Sequence, residues 1–419
     1  MKVAVVGAGL AGVCATKHCL EYGYDVTTFE KTNTIGGTWY YTDSVDKDEF
    51  GMDVHTSMYQ NLRTNFPKEI MGFPDYDFTG PKNSYVSAGE VLDFIKTYAR
   101  EFKVDEQIKF RHEIIRIRPI GMTSRWEIVV RDFNNDSAEV QQFDAVMCCN
   151  GHYSCPRIPD IPGRDLYGGK VLHTHSYRTA DIFKGETVLV VGSGSSGIDI
   201  AYLVSKTATK TTISFHDPTR IIPSGIHKKP DIRELTENGA IFRDGTEEHF
   251  TVIIFATGYL YSFPFLSIDC GMTINDNYIQ PLFKHCININ YPTMALIGMP
   301  YLVHPPLISY LQIQLFLKYL SGTQNIPSKE EMMSTTNKEM DSRWKNGFKK
   351  KQAHMLGTDL LDEYYADLCQ LAGLPPVKPY MMEIYRENQR NLKRDHIRFR
   401  EINFTVIDDE HFETDKELC

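Results

Sequence analysis

Short apolar runs, each followed by glycine and then by helical spacing, divide the start of the chain into strand and helix segments. Residues 2–6 are apolar and mostly β-branched, which is the composition of a buried parallel strand. Apolar residues at helical spacing follow between Val13 and Leu20. A second β-branched and aromatic segment, residues 25–29, ends at Glu30. The pattern predicts a strand–helix–strand unit of an α/β fold.

The turn between the first strand and helix reads Gly-x-Gly-x-x-Gly at residues 7–12. In such a turn the first glycine permits the tight bend, the second lets the backbone approach a pyrophosphate, and the third lets the helix pack on the strand. The helix N-terminus offers free N–H groups and the positive end of its dipole to phosphate. Glu30 stands where a carboxylate binds ribose hydroxyls. Together these features predict a dinucleotide-binding site.

The same design returns at residues 187–215, with Gly-x-Gly-x-x-Gly at residues 192–197. Phe215 stands where the first copy has Glu30, so this site lacks the carboxylate that would repel a 2′-phosphate. Ser214, His216 and Arg220 lie beside it instead and favour NADP over NAD, although Asp217 opposes this interpretation. The sequence therefore predicts two dinucleotide folds, the second of which binds NADPH.

The second unit is predicted to be inserted into the first. Strand-like segments at 143–149 and 250–256 each lead to a glycine, and the first is followed by prolines that mark a linker. An antiparallel β insertion is predicted near 108–146, and residues 408–419 are expected to form a frayed tail. The predicted α/β fold is thus two Rossmann-like domains, one inside the other, which is typical of enzymes that pass hydride between a nicotinamide nucleotide and FAD. The chain divides into 1–155 (FAD domain, first segment), 156–284 (NADP domain with linkers) and 285–419 (FAD domain, second segment with C-terminal helices).

Composition and net charge restrict the classes of partner that the chain is expected to bind. A net charge of −9 over 419 residues argues against nucleic acid or an anionic membrane as a partner. No apolar run reaches the length of a bilayer span, so a soluble chain without a membrane anchor is expected. The nine cysteines lack metal spacing, so we predict no metal site; they favour a reducing, cytoplasmic setting. The sequence leaves open a homo-oligomer and a leader peptide removed before Met1.

Flavoprotein disulfide reductases also contain two dinucleotide folds, but they carry a redox cysteine pair just after a Gly-Gly-Thr segment. Here the Gly-Gly-Thr segment is residues 36–38, and Trp39 and Tyr40 follow it in place of the cysteines, which argues against a disulfide reductase.

No Ser-His-Asp or paired-carboxylate arrangement stands out in the sequence, so the flavin would carry the chemistry.

Residues 167–177 point to one family. They resemble the Phe-x-Gly-x-x-x-His-x-x-x-Tyr motif of the flavin-containing monooxygenases, with Tyr167 in place of phenylalanine. Segments 64–69, 255–259 and 311–322 also resemble family motifs. Baeyer–Villiger monooxygenases end the motif in Trp, usually before Pro, whereas this chain has Tyr177 and Arg178. The chain is identified as a member of the flavin-containing monooxygenases and is similar to the compact insect members.

The resemblance implies an FAD enzyme that consumes NADPH and O2 and oxygenates a small nucleophilic amine or sulfide through a C4a-hydroperoxyflavin. Insect members include N-oxygenases of pyrrolizidine alkaloids such as senecionine, which suggests N-oxygenation of tertiary amines and, if a leader were removed, secretion into haemolymph. S-oxygenation or Baeyer–Villiger oxidation remains an alternative. A flavoprotein redox or binding module that has lost oxygenation is an alternative of another class.

The resemblance also assigns site residues. Asn65 matches the asparagine that holds NADP⁺ and the oxygenated flavin, and is the predicted catalytic residue. His173 and Tyr177 are interpreted as structural linker residues. The residues predicted to bind the cofactors are Gly7, Gly9, Leu10, Ala11, Gly12, Glu30, Gly37, Thr38, Trp39 and Gln312 for FAD, and Thr64, Asn65, Gly192, Gly194, Ser195, Ser196, Gly197, Ser214, His216, Arg220, Thr257 and Gly258 for NADP or the junction.

Overall fold

The computed structural model describes residues 1–121, 125–217 and 219–417, and their helices and strands fall into three runs along the chain. The first run contains β1 (Lys2–Val6), α1 (Leu10–Glu21), β2 (Asp25–Glu30), α2 (Ala88–Glu101), β3 (Ile108–Phe110), β4 (His112–Pro119), β5 (Trp126–Asp132), β6 (Ser137–Phe143) and β7 (Ala145–Cys148). The second run contains β8 (Lys170–His173), β9 (Thr187–Val191), α3 (Ser195–Val204), β10 (Lys210–Ser214), β11 (His227–Lys229), β12 (Ile232–Thr236), β13 (Gly239–Phe242), β14 (Glu247–His249) and β15 (Val252–Phe255). The third run contains β16 (Thr273–Asn275), β17 (Tyr278–Gln280), β18 (Leu282–Phe283), β19 (Ile287–Asn288), β20 (Met294–Leu296), α4 (Pro305–Leu320), α5 (Lys329–Lys345), α6 (Gly357–Ala372), α7 (Pro379–Arg394), β21 (Phe404–Val406) and β22 (Phe412–Thr414).

The larger sheet combines strands from the first and third runs in the order β18-β19-β20-β7-β1-β2-β3. Strands β20, β7, β1, β2 and β3 are parallel, with Val3 opposite Val26 on one side and Ala145 on the other. β1 and β7 are almost wholly buried because apolar side chains face both sides of the sheet. Helices α1, α4 and α6 pack together on one face, and the antiparallel sheet β4-β5-β6 covers the other through Trp126 and Ile128.

The smaller sheet belongs entirely to the second run and has the order β11-β10-β9-β15-β8, with every pairing parallel. Ile198 and Ile200 of α3 pack against one face, and the three-stranded sheet β12-β13-β14 packs against the other through Leu235 and Phe242. The fold is therefore two Rossmann-like units, with the second inserted into the first. The exact domain bounds at 155 and 284 stay a prediction; the strands of the smaller sheet lie between residues 170 and 255.

Two helices begin at capping boxes. Ser87 accepts a hydrogen bond from the Glu90 N–H at the start of α2, and Ser328 accepts one from the Glu331 N–H at the start of α5. In each box the glutamate side chain accepts a hydrogen bond from the N–H of the serine. Two corrections concern strands. β3 lies in the predicted antiparallel insertion but pairs in parallel with β2. The expected frayed tail instead contains β22, which pairs with β21 as an antiparallel hairpin.

Among residues 1–121, 125–217 and 219–417, no helix combines the length and the apolar character that crossing a bilayer requires.

The Gly12→Ala substitution tests the contact between β1 and α1. An added Cβ would lie 1.8 Å from the Gly7 carbonyl oxygen, so helix and strand would have to separate. We expect the free energy of unfolding to fall by about 1–3 kcal/mol or more, as for other overpacked sites, and bound flavin to be lost. Denaturant unfolding and flavin absorbance measure both. Gly89→Ala is the control, because its Cβ would meet only Ser87 Oγ at 3.9 Å. Equal stability of the two variants would contradict the prediction.

Candidate active site

The backbone of the first glycine loop, residues 7–12, lies against that of Gly36 and Gly37. α1 begins after Gly9, and no side chain caps its N-terminus, so its first N–H groups are open to an anion. A Cβ on Gly37 would lie 2.9 Å from the Cα atom of Gly9, so the two backbones pass in direct contact. Leu10 and Ala11, in the first turn of α1, are half-buried. These residues form a cradle that fits a pyrophosphate.

Glu30 lies against the first glycine loop, where its carboxylate has partners within the protein. Glu30 Oε2 accepts a hydrogen bond from the Ala8 N–H at 2.8 Å. Glu30 Oε1 accepts from the Thr32 N–H at 2.9 Å and from its hydroxyl at 2.8 Å. The carboxylate therefore connects the glycine loop at Ala8 to Thr32. Its contact with a ribose stays a prediction.

Two polar atoms near this cradle are buried, and neither has a hydrogen-bond partner within the part of the chain that the structure describes. They are Thr38 Oγ1 and Asn150 Oδ1. Buried polar atoms are usually paired, so unpaired ones beside a cleft fit a site whose ligand supplies the partners. Trp39 is half-buried against the large core. Gln312 is fully buried, where its Oε1 accepts from the Gly298 N–H and its Nε2 donates to the Tyr364 hydroxyl, each at 2.8 Å.

The second glycine loop, residues 192–197, repeats this geometry at the start of α3. A Cβ on Gly192 would lie 2.5 Å from the Ala256 carbonyl oxygen, and one on Gly197 would lie 2.2 Å from that of Gly192. Gly194, by contrast, faces open space and leaves the N-terminus of α3 without a side-chain cap. Ser195 is half-buried and Ser196 exposed in the first turn. This loop also fits a phosphate.

Two of the three side chains predicted to contact a 2′-phosphate already have partners within the protein. The Ser214 hydroxyl is buried and donates to the Pro230 carbonyl at 2.7 Å. His216 is exposed, with Nδ1 2.8 Å from Asp231 Oδ2. Arg220 is half-buried in the same loop. A role for Ser214 would require its hydroxyl to turn from Pro230, and a role for His216 would require its imidazole to share or leave Asp231.

At the strand end after β15, the Thr257 hydroxyl donates to the Arg157 carbonyl, and the Arg157 N–H donates to the Gly258 carbonyl at 2.9 Å. These two bonds tie the end of the smaller sheet to the linker.

Thr64 and Asn65 lie between the two units. The Thr64 hydroxyl accepts from the Val86 N–H at 3.1 Å, and its carbonyl accepts from Arg400 Nε at 3.0 Å. Asn65 Oδ1 accepts from Arg400 Nη2 at 2.5 Å, while its carbonyl accepts from Asn388 Nδ2 at 3.0 Å. Because Oδ1 accepts from a guanidinium, the Asn65 amide is oriented, and its Nδ2 remains available as a donor.

Arg400 also forms a buried ion pair with Asp199 of α3. Nη1 lies 3.1 Å from Oδ1, and Nη2 lies 2.6 Å from Oδ2. Tyr59 donates its hydroxyl to Asp199 Oδ2 at 3.3 Å. Sequence reasoning missed Arg400 and Asp199, since neither belongs to a motif used for the prediction, and Arg400 is 335 residues from Asn65.

His173 and Tyr177 have structural surroundings. His173 Nδ1 accepts from the His175 N–H at 3.1 Å, and burial lowers the pKa of His173 to about 4. Tyr177 packs edge-on against Tyr59 and stacks on Phe183, and burial raises the pKa of its hydroxyl. Neither group is poised to exchange a proton near neutral pH.

Residues 1–217 and 213–388 match the family described as flavin-binding monooxygenase-like. The chain belongs to this family. The flavin-binding monooxygenases are flavin enzymes that use oxygen and a substrate, which agrees with the two glycine loops and their open helix ends.

This flavin-binding monooxygenase is similar to several known proteins. It is 31% identical to the senecionine N-oxygenase of Tyria jacobaeae over 421 residues, which span 98% of this chain and 91% of that protein. The structure of an S-allyl-L-cysteine S-oxygenase from Allium sativum superimposes with a TM-score of 0.89 at 31% identity, covering 95% of this chain and 94% of the other. Tmm from a Pelagibacter species gives a TM-score of 0.87 at 26% identity, covering 99% and 96%.

The pH dependence of stability tests the structural role of His173. Folded His173 stays neutral down to about pH 4, whereas in the unfolded chain it takes up a proton below about pH 6.5. The wild type should therefore lose stability as pH falls from 6.5 to 4, with His173 contributing at most ~1.4 kcal/mol per pH unit. We expect His173→Gln to flatten this loss in urea titrations, while the exposed control His227→Gln does not. Identical slopes for wild type and His173→Gln would contradict this assignment.

Proposed function

We propose that the chain is an FAD- and NADPH-dependent monooxygenase that N-oxygenates small tertiary amines, alkaloids included. The observation that carries the proposal is the pair of open, glycine-lined helix ends in a chain that is similar over 98% of its length to a named N-oxygenase. Pyrrolizidine alkaloids such as senecionine are the first substrates to test, because the name of that relative specifies one.

FAD would lie on the first glycine loop. The N–H groups at the start of α1 would bind its pyrophosphate, and a Cβ at Gly37 would lie only 2.9 Å from Gly9 Cα, so that position leaves no room for a side chain. Glu30 would accept from the ribose hydroxyls while holding Ala8. Thr38 Oγ1, which is buried and unpaired among the described residues, would gain a partner in the cofactor.

NADPH would bind at the second glycine loop. The open N-terminus of α3 would take its pyrophosphate, and Gly194 leaves space for it. The 2′-phosphate would meet Arg220 and His216, close in sequence to Phe215, which stands where the first unit has the carboxylate of Glu30. Arginine is suited to this task because its fork of donors matches phosphate geometry.

When bound and reduced, the flavin supplies the chemistry that activates O2 and transfers one oxygen atom to the substrate. The amine itself provides the attacking lone pair, so no protein base is needed to create a nucleophile. The chain's residues would therefore orient and protect. Asn65 would donate from Nδ2 into the junction between the two nucleotides, and the residues packed around it would exclude water.

S-oxygenation is a second candidate function. The Allium sativum neighbour is named as an S-oxygenase, and it covers 95% of this chain at 31% identity. A thioether, like a tertiary amine, brings its own lone pair, so one site could serve both reactions.

A product assay tests the proposed function. Purified yellow protein is incubated with NADPH, O2 and a tertiary amine, a thioether or a cyclic ketone, and products are measured by mass spectrometry. We expect the amine N-oxide as the main product, at a lower Michaelis constant for NADPH than for NADH. Sulfoxide alone would favour the second candidate, and lactone would favour Baeyer–Villiger chemistry. NADPH oxidation without any oxygenated product would support a non-oxygenating flavoprotein and contradict the proposal.

The Asn65→Ala and Asn65→Asp variants test the role of the amide. Alanine removes the Nδ2 donor, and aspartate replaces it with an acceptor beside the nucleotides. We expect both variants to consume NADPH but to release hydrogen peroxide in place of most of the N-oxide, with a roughly tenfold change in the ratio of the two products, as expected from losing about 1.4 kcal/mol of stabilisation. The exposed control Asn83→Ala should match wild type. Coupled turnover in the Asn65 variants would exclude this role.

A further inference from the structure

One guanidinium joins three distant parts of the molecule. Arg400 donates to the Thr64 carbonyl and Asn65 Oδ1 on one side and to both Asp199 oxygens on the other. Thr64 and Asn65 belong to the larger unit, Asp199 belongs to α3 of the inserted unit, and Arg400 comes from the segment after α7. The contacts therefore cross the junction at which the two nucleotides would meet.

The burial of this group makes its contacts interdependent. Arg400 and Asp199 are each only 8% exposed. A buried charge whose partner is removed is strongly unfavourable, so the pair is held together rather than exchanging freely with water. Because the same Nη2 atom reaches both Asn65 Oδ1 and Asp199 Oδ2, a movement of α3 would shift the atom that orients the Asn65 amide.

The segment that carries Arg400 is anchored independently of the ion pair. Phe399 packs edge-on against Tyr85 with ring centroids 5.1 Å apart. Asn403 Oδ1 accepts from the Ser84 N–H at 2.9 Å, and Ser84 Oγ accepts from the Phe404 N–H at 2.8 Å. These contacts dock the segment onto residues 84–86, which lie beside Thr64, so the position of the guanidinium is fixed.

Asp199 lies one turn along α3 from Ser195, at the end of the helix that fits phosphate. His396 approaches the same carboxylate, with Nε2 3.6 Å from Asp199 Oδ1. Burial lowers the pKa of His396, which leaves Arg400 as the cation that pairs with Asp199 at neutral pH.

We propose that Arg400 is a positioning residue that fixes the Asn65 amide and couples it to the nucleotide-binding end of α3. Through Asn65 Oδ1 it holds the amide so that Nδ2 is the donor presented to the junction. Through Asp199 it ties this orientation to the helix that would bind the nicotinamide nucleotide. The inference rests on the proposed function, because it gives Asn65 a task in oxygen transfer.

Lysine cannot replace arginine in this arrangement. An ammonium is a single point charge, whereas the planar guanidinium donates in fixed directions to acceptor atoms of Thr64, Asn65 and Asp199 at once. Arg400→Lys keeps the charge and should keep the contact with Asp199, but it loses the simultaneous contact with Asn65. Arg400→Ala loses both.

Hydrogen–deuterium exchange of the flavin-bound full chain without substrate tests the coupling directly. We expect Arg400→Ala to increase amide exchange about tenfold in peptides 59–67 and 195–204, which corresponds to about 1.4 kcal/mol of local opening. Arg400→Lys should affect mainly 59–67. Arg398→Ala is the matched control, since Arg398 is an exposed arginine of the same segment, and both peptides should then exchange as in wild type. Unchanged exchange at 59–67 in both Arg400 variants would overturn the proposal.

Turnover of a tertiary amine tests the consequence. We expect the ratio of hydrogen peroxide released to amine oxygenated to rise about tenfold in Arg400→Lys, as for losing ~1.4 kcal/mol of orientation at Asn65. In an Asn65→Ala background, Arg400→Lys should add nothing further, because its target is gone. Additive effects would show that Arg400 acts on something other than Asn65 and would overturn the proposal.

These two experiments separate the proposal from the function on which it rests. If the wild type forms no oxygenated product, the proposed function fails, while exchange at 59–67 still decides whether Arg400 holds Asn65. If Asn65→Ala uncouples turnover and Arg400→Lys does not, only the positioning role of Arg400 fails. Should Arg400→Ala not fold, Arg400→Lys carries both readouts.

Discussion

The structure depends on a contact that only glycine allows, between the first turn of a helix and the loop that leaves the preceding strand. At Gly12 the helix backbone touches the Gly7 carbonyl, and at Gly197 it touches that of Gly192. This contact sets the helix end directly above the sheet edge, where its N–H groups face outward. Both candidate nucleotide sites follow from it, because the same glycines that bring helix and strand together also keep side chains out of the space above.

The parts of the fold that were predicted correctly are those encoded by neighbouring residues. β1 and the two glycine loops each depend on residues within a few positions of one another. β3 and the terminal hairpin were misjudged because their partners are distant. Three residues of β3 give no sign of whether they join β2 or the antiparallel insertion. The acidic stretch after Asp408 resembles a tail until Phe412 is seen beside Phe404.

In the candidate site, too, local features could be predicted from the sequence and long-range contacts could not. Backbone features of the cradle follow from the motifs, but side-chain assignments depend on competing partners that no motif reveals. Ser214 stands at the predicted position, yet its hydroxyl bonds Pro230. Gln312 matches a family position, yet in the structure its amide is paired with Gly298 and Tyr364. Arg400 could not be predicted, because its contacts with Thr64, Asn65 and Asp199 join three segments that are far apart in the chain, and no sequence motif surrounds it.

The placement of Arg400 late in the chain has a consequence for biosynthesis. The smaller sheet of the inserted unit ends with β15 at Phe255, long before Arg400 in the chain, and Asp199 precedes Arg400 by 201 residues. On a ribosome, both glycine loops emerge and can begin to fold while the Asn65 amide still lacks its anchor. A nascent chain would thus contain both glycine loops before the Asn65 amide is oriented, and that orientation would be set only after α7 has formed and the segment carrying Arg400 has docked.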